Sequence, residues 1–133
     1  ERREQLLMDL SLNVRALVSQ RLIPREAGSG RIAAMEIMLT SPLIQDLIFR
    51  GEVTKIKEVM ARSNRLGMKT FDQALFELYE TGLISYEDAL RNADSKNELR
   101  LRIKLESKRD KPTAVDDAGG LQVMEEQEKA RRY

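Results

Sequence analysis

Apolar residues recur at spacings of three and four near the start of the chain. Leu6, Leu7, Leu10, Val14 and Leu17 share one helical face, while Arg2, Arg3, Asp9 and Arg15 lie elsewhere. This spacing predicts an amphipathic helix over residues 1–18. The rhythm then changes. Two short segments, SQRLIPR and GRIAAMEIML, are joined through Glu26, Ala27, Gly28 and Ser29. In the second, Ala33, Met35, Ile37 and Leu39 alternate with Ile32, Ala34, Glu36 and Met38. A period of two reads as a strand, and the Gly-Ser-Gly link as a hairpin turn. Both faces of the second strand are largely apolar, so both are expected to be covered.

Helical signals follow closely on one another. Thr40, Ser41 and Pro42 supply an N-cap hydroxyl followed by proline at the first helical position, and Gly51 can supply a left-handed C-terminal cap. LIQDLIFR between them is predicted to be a helix of about two turns. Val53, Ile56, Val59, Met60 and Leu66 mark a helix ending at Gly67. Thr70 and Gln73 form a possible capping box for FDQALFELYET, stopped at Gly82, and Ser85 with Asp88 opens YEDALRNA. The short connections favour antiparallel helices packed on one another.

Beyond Ala93, Leu99, Leu101, Ile103 and Leu105 alternate with Arg100, Arg102 and Lys104. This predicts a strand with one cationic face, docked on the edge of the hairpin and guarding that edge against further pairing. From Glu106 onward the chain is polar and charged, with Pro112 and the pair Gly119 and Gly120. A disordered tail over 106–133 is expected, carrying at most a short helix over 121–132. No internal repeat is visible.

Composition narrows the function more than the fold. At 133 residues there is room for one domain, and 23 Lys and Arg against 22 Asp and Glu leave a net charge of +1. No global field draws such a chain onto nucleic acid or an anionic membrane. No run of about 18 uncharged apolar residues exists, so a soluble protein without a transmembrane segment is expected. With no Cys and no His, the chain has no thiol nucleophile, no imidazole base, no disulfide and none of the usual zinc ligands. No basic segment with a cleavage site directs it out of the cytoplasm. It opens at Glu1 and enters a helical pattern without a capping residue, which suggests a piece of a longer protein.

Few residues suggest chemistry. Gly28-Ser29-Gly30 lacks the Lys-Ser/Thr pair and following helix of a P-loop, so the turn reading stands. Glu77, Glu80, Glu87 and Asp88 fall on polar helix faces. Glu36, set in an apolar strand, must find a hydrogen-bond partner or lie at an edge. Residues 70–93 have the outline of a helix-turn-helix, yet Glu87 and Asp88 face Arg91 alone on the second helix, which argues against DNA. LIQDLIFR carries more apolar surface than one contact would hide. Either the core uses nearly all of that surface, which is the default, or part of it is a partner surface, for which Leu43, Ile44, Gln45, Asp46, Leu47 and Arg50 are the candidates.

The stretches LLMDLSLNVRALVSQRLIP, GRIAAMEIMLTSPLIQDLI and LGMKTFDQALFELYETGLISYEDALRNA together resemble the carboxyl-terminal part of the type IV pilus retraction ATPases, the PilT and PilU family. The resemblance runs in order through residues 1–105. It includes Ser19-Gln20-Arg21-Leu22, the strand from Arg31 to Met38, the Thr-Ser-Pro helix start and Gly67-Met68-Lys69-Thr70 with Asp72. ISYEDAL and ADSKNELRLRIKL are more similar to the PilU branch. Where PilT proteins have a pattern near TPAIRNLIRE, associated with retraction, this chain has TSPLIQDLIFR. Ile44, Leu47 and Ile48 agree with that pattern, while Leu43, Gln45 and Asp46 replace its Ala, Arg and Asn. The resemblance would make the candidate partner surface on this helix a force-transmission surface.

The resemblance implies a C-terminal fragment of a RecA-like P-loop ATPase domain. Its class is expected to be α+β but mainly α: an amphipathic helix, a β-hairpin, a short helical bundle and a further edge strand. Residues 1–105 would be the end of the motor domain with its helical appendage. The implied parent is a homohexamer using ATP and magnesium at the cytoplasmic face of the inner membrane, with PilT and the pilus platform protein as partners and no nucleic acid. The family's P-loop lysine, acidic boxes and histidine box would precede Glu1, so this chain alone should hold no catalytic, cofactor or metal site and should not hydrolyse ATP. The competing reading is a small helical protein–protein adaptor with no motor function.

Overall fold

The computed structural model describes residues 1–109. In chain order these form α1 (Arg2–Asn13), β1 (Ala16–Pro24), β2 (Arg31–Leu39), α2 (Pro42–Arg50), α3 (Val53–Arg62), a 3-10 turn (Asn64–Leu66), α4 (Phe71–Glu80), α5 (Tyr86–Asn92) and α6 (Lys96–Glu106). The fold is mainly helical, with one two-stranded antiparallel sheet. The helix expected over 121–132 and most of the expected tail lie outside the described residues.

The hairpin forms as its period of two demands, with Ala16 opposite Leu39 and Pro24 opposite Arg31. Arg25 N–H to Gly30 O, 3.1 Å, closes the link. One face of the sheet presents Ile23, Ala34 and Met38 to the helices, and all three are buried. The other face departs from the expectation of double cover. Among the described residues no second layer lies over it, so Val18, Leu22 and Met35 remain exposed.

Two helix ends also differ from their sequence pattern. The first helix stops at Asn13, five residues short of the expected end, and Val14 turns extended. The backbone of residues 16–18 pairs with β2 instead, and Thr40 ties the crossing by bonding Val14 O through its hydroxyl and Arg15 O through its N–H. Leu17 therefore belongs to a strand. Likewise α3 ends at Arg62, and Leu66 sits exposed in the 3-10 turn before Gly67. Its apolar spacing had predicted a single helix through to Gly67.

The largest correction concerns residues 99–105, which form helix α6 and not an edge strand. Leu99 and Ile103, four apart, are buried, whereas Leu101 and Leu105 are 56% and 74% exposed. Alternating Leu and Arg fits a strand by period, but Leu, Arg, Lys and Glu are all strong helix formers, and one buried pair suffices to dock the helix. The cationic stripe is consequently dispersed. Arg102 lies over the Phe76 ring, 4.3 Å from its centroid, and pairs with Glu106, while Arg100 and Lys104 are exposed. The segment that meets the hairpin edge is Lys69, which exchanges both backbone bonds with Ile37 at 2.8 and 2.9 Å.

Burial divides into two clusters that share β2. Ile23, Ala34, Phe71, Leu75, Tyr79, Ile84, Leu99 and Ile103 join α4, α5 and α6 to the hairpin. Met38, Ile44, Ile48, Met60 and Met68 join α2 and α3 to the far end of β2. After α6 the chain is clasped. Ser107 Oγ and Lys108 N–H donate to Glu80, and the Arg109 guanidinium donates to Tyr79 O (2.7 Å) and Ile84 O (3.3 Å), covers the Tyr79 ring and pairs with Glu26. The Ser107 hydroxyl and the Lys108 N–H hold the Glu80 carboxyl below the usual carboxylate range.

Candidate functional site

Helix α2 is fixed at both ends by its own sequence. Ser41 Oγ accepts the Ile44 N–H, Pro42 occupies the first turn, and Gly51 takes φ 69° while its N–H reaches the last carbonyls. Gly51 also sits against α1, since a Cβ there would lie 3.5 Å from a Leu7 methyl. These features make α2 a short rigid element seated between α1 and α3.

The six candidate residues separate into anchors and surface. Ile44 and Leu47 are 0% and 6% exposed, so with Ile48 they hold α2 in place and cannot touch a partner in this conformation. Gln45 is half-buried. Leu43, 53% exposed, lies with Asp46 and Arg50 along one stripe at spacings of three and four, and Arg50 pairs with Asp46 at 3.1 Å. Phe49, 55% exposed and outside the predicted set, stands beside this stripe and faces the first turns of α1. The excess of apolar surface over one contact was the signal for it.

A second polar constellation was only partly visible beforehand. Glu36 accepts hydrogen bonds from Lys57 Nζ and from Phe71 N–H. Lys57 also reaches Asp94 at 3.1 Å, and Asp94 pairs with Arg21 at 2.8 Å. The Arg21 guanidinium stacks 4.0 Å over the Phe71 ring. Asp72 accepts the N–H groups of Asp94 and Ser95, fixing the entry into α6. Burial works against the charge on Lys57, but Glu36 and Asp94 outweigh it and hold the ammonium above its ordinary value. Burial likewise opposes the Asp94 charge, and Arg21 and Lys57 overcome it to hold that carboxyl below the usual range. The four residues form a mutually satisfied ion cluster rather than an acid–base pair with divided roles.

No protein-family model matches the chain. It is 47% identical to the type IV pilus ATPase PilU of Pseudomonas aeruginosa over its full length, covering 35% of that protein. It is 36% identical to a twitching motility protein of Neisseria gonorrhoeae, over 70% of the chain and 25% of the relative. A crystal structure of the pilus retraction motor PilT with bound ADP superposes with a TM-score of 0.63 at 32% identity, over 74% of this chain and 26% of that one. The chain thus spans only about a third or less of the proteins it is similar to. Among the described residues no helix is long and apolar enough to cross a membrane.

Proposed function

The chain belongs to the PilT/PilU family of type IV pilus ATPases, matches its carboxyl-terminal part and stands nearer PilU than PilT; from that premise we propose that it is the transmission end of a pilus retraction motor. In this reading residues 1–105 close a RecA-like motor domain and supply its helical appendage. The whole protein works as a homohexamer at the cytoplasmic face of the inner membrane, beside PilT and against the pilus platform protein, coupling ATP hydrolysis to pilus disassembly and twitching. ATP and magnesium are handled by residues outside this chain, which alone neither holds the nucleotide nor hydrolyses it.

The single observation that carries the reading is the 47% identity to PilU along the whole chain. The chain's own part is mechanical. Because Ile44, Leu47 and Ile48 are buried and both helix ends are capped, α2 moves with the body beneath it, carrying Leu43, Asp46 and Arg50 on its outer stripe. A displacement of that body is delivered to whatever touches the stripe without being absorbed by the helix.

Charge changes in the full-length protein test this. Gln45→Lys with Asp46→Lys alters the outer face and breaks the Asp46–Arg50 pair, while leaving the anchors in place. Retraction force is expected to fall severely while ATP hydrolysis by the purified protein is retained. Unchanged retraction removes α2 from the transmission route, and a parallel loss of hydrolysis shows that the helix serves the motor's chemistry.

A further inference from the structure

Glu36 sits on β2 between Ala34, which belongs to the α4–α6 cluster, and Met38, which belongs to the α2–α3 cluster. All three side chains share one face of the strand. The boundary between the two apolar clusters is therefore marked by a carboxylate. Helix α3 packs chiefly on α2, whereas α4, α5 and α6 pack on one another. Between α3 and α6 lies an open cleft of about 570 Å³, walled by Lys57 and Glu58 on one side and Asp94, Glu98 and Arg102 on the other.

The Lys69–Ile37 backbone pair pins the connector over residues 63–70 to β2, and two kinds of side-chain contact bridge the seam away from that pair. At the connector over residues 63–70, Gln73 Nε2 donates to Ala61 O at 2.8 Å and joins the last turn of α3 to the first turn of α4. About one turn further from the connector, Lys57 reaches from α3 to Glu36 on the sheet and to Asp94 at the entry to α6, and Arg21 secures Asp94 from β1. A rotation about the connector would move Lys57 farther than Ala61, so the ion cluster is the part that must release.

We propose that Glu36, Lys57, Asp94 and Arg21 form a latch that holds the α2–α3 body against the α4–α6 body, and that its release opens the cleft by a hinge rotation at residues 63–70. The physical case rests on the kind of bond at the seam. Apolar packing is not weakened by salt and gives way only as a whole. Ion pairs whose members are more than a third exposed, as Lys57 and Asp94 are, are directional, salt-sensitive and individually cheap to break, whereas Glu36, only 15% exposed, makes the Lys57–Glu36 pair the stronger hold of the latch. A fold joined along one line by such pairs, and elsewhere by buried aliphatic groups, yields along that line first. This inference stands on the geometry and does not depend on the motor reading.

The absence of cysteine makes the test direct. Thr54→Cys and Glu98→Cys place spin labels on opposite walls of the cleft, and pulsed dipolar spectroscopy on the full chain reads the distance between them. At low salt a single short distance is expected. Raising salt to about 1 M, where the Debye length shrinks to about 3 Å, should populate a longer second distance while helicity by circular dichroism is unchanged. Lys57→Met and Asp94→Asn should populate that distance at low salt, and Lys57→Arg should restore the short one. One unchanged distance across salt and all variants overturns the latch. Should Lys57→Met fail to fold, the salt series on the unsubstituted labelled chain decides: lengthening supports the latch, and an invariant distance makes the cluster a stability element and overturns it.

Discussion

The α4–α6 half and the α1–β1 half both carry abundant apolar residues and, apart from the buried Ile23 of β1, treat them in opposite ways. Leu75, Tyr79, Ile84, Leu99 and Ile103 are all buried, whereas Leu6, Leu10, Leu17, Val18 and Leu22 are all exposed. Fully burying a large aliphatic side chain contributes about 1.5–3 kcal/mol, so the two halves stabilise the chain very unequally. Three short helices crossing one sheet face can enclose their apolar stripes. A two-stranded sheet has two faces and two edges, and α1 packs chiefly on α2, with Leu7 against Gly51. The lesson is that apolar periodicity reports which element forms and says nothing about whether the same chain supplies its cover.

Several substitutions would break or sharpen this contrast. The largest effect is expected for Ile84→Ala, about 2–5 kcal/mol of lost stability from the missing transfer energy and the cavity left behind. The matching change on the other side, Leu22→Ser, should cost far less, about 0.5 kcal/mol, because that side chain is already more than half exposed. Urea titrations of the two variants make the comparison, and equal losses would show that the α1–β1 surface is covered in solution. Next comes Thr70→Ala, which removes a reciprocal capping box in which Thr70 Oγ1 accepts Gln73 N–H and Gln73 Oε1 accepts Thr70 N–H. About 1 kcal/mol should be lost there.

The smallest effect is a pH dependence centred on the seam. The Asp94 carboxyl is held below its ordinary 3.8, so the folded state binds its proton less readily than the unfolded one. Its contribution is present above 3.8 and is lost as pH falls through the lower folded value. Lys57 works in the opposite sense. Its raised value keeps its contribution intact below 10.5 and loses it as pH climbs through the folded value above that. Asp94→Asn should flatten the acid limb of a stability-against-pH curve relative to the parent chain, and identical limbs would show that the cluster does not contribute.

Local chemistry was the legible part of the fold. The Ser41–Pro42 start and Gly51 stop of α2, the capping box of α4 and the Ser85 cap of α5 all depend on residues within a few positions of one another, and each formed as its sequence implies. Period alone misled where two structures shared it. Leu99 to Leu105 alternates, yet only every fourth position is needed when one face of a helix docks. Val14 and Leu17 continue the stripe of α1, but pairing of residues 16–18 with β2 claims that backbone instead. At the site, Leu43, Asp46 and Arg50 were found on an exposed stripe, while Ile44 and Leu47 proved to be anchors, because helical phase relative to the core is set by α1 and α3. Glu36 announced a need for partners. Which ones could not be read, since Lys57 lies 21 positions away and the Arg21–Asp94 pair spans 73.

The clasp at residue 109 bears on mechanics. A pull applied to the chain beyond α6 does not begin by unzipping that helix from its last turn. Arg109 divides the load among the Tyr79 and Ile84 carbonyls and the Glu26 carboxylate, so the end of α4, the turn before α5 and the link of the hairpin are strained together. Bonds loaded in parallel must fail together, whereas bonds loaded in series fail one at a time. One guanidinium thereby turns a peeling geometry into a shearing one.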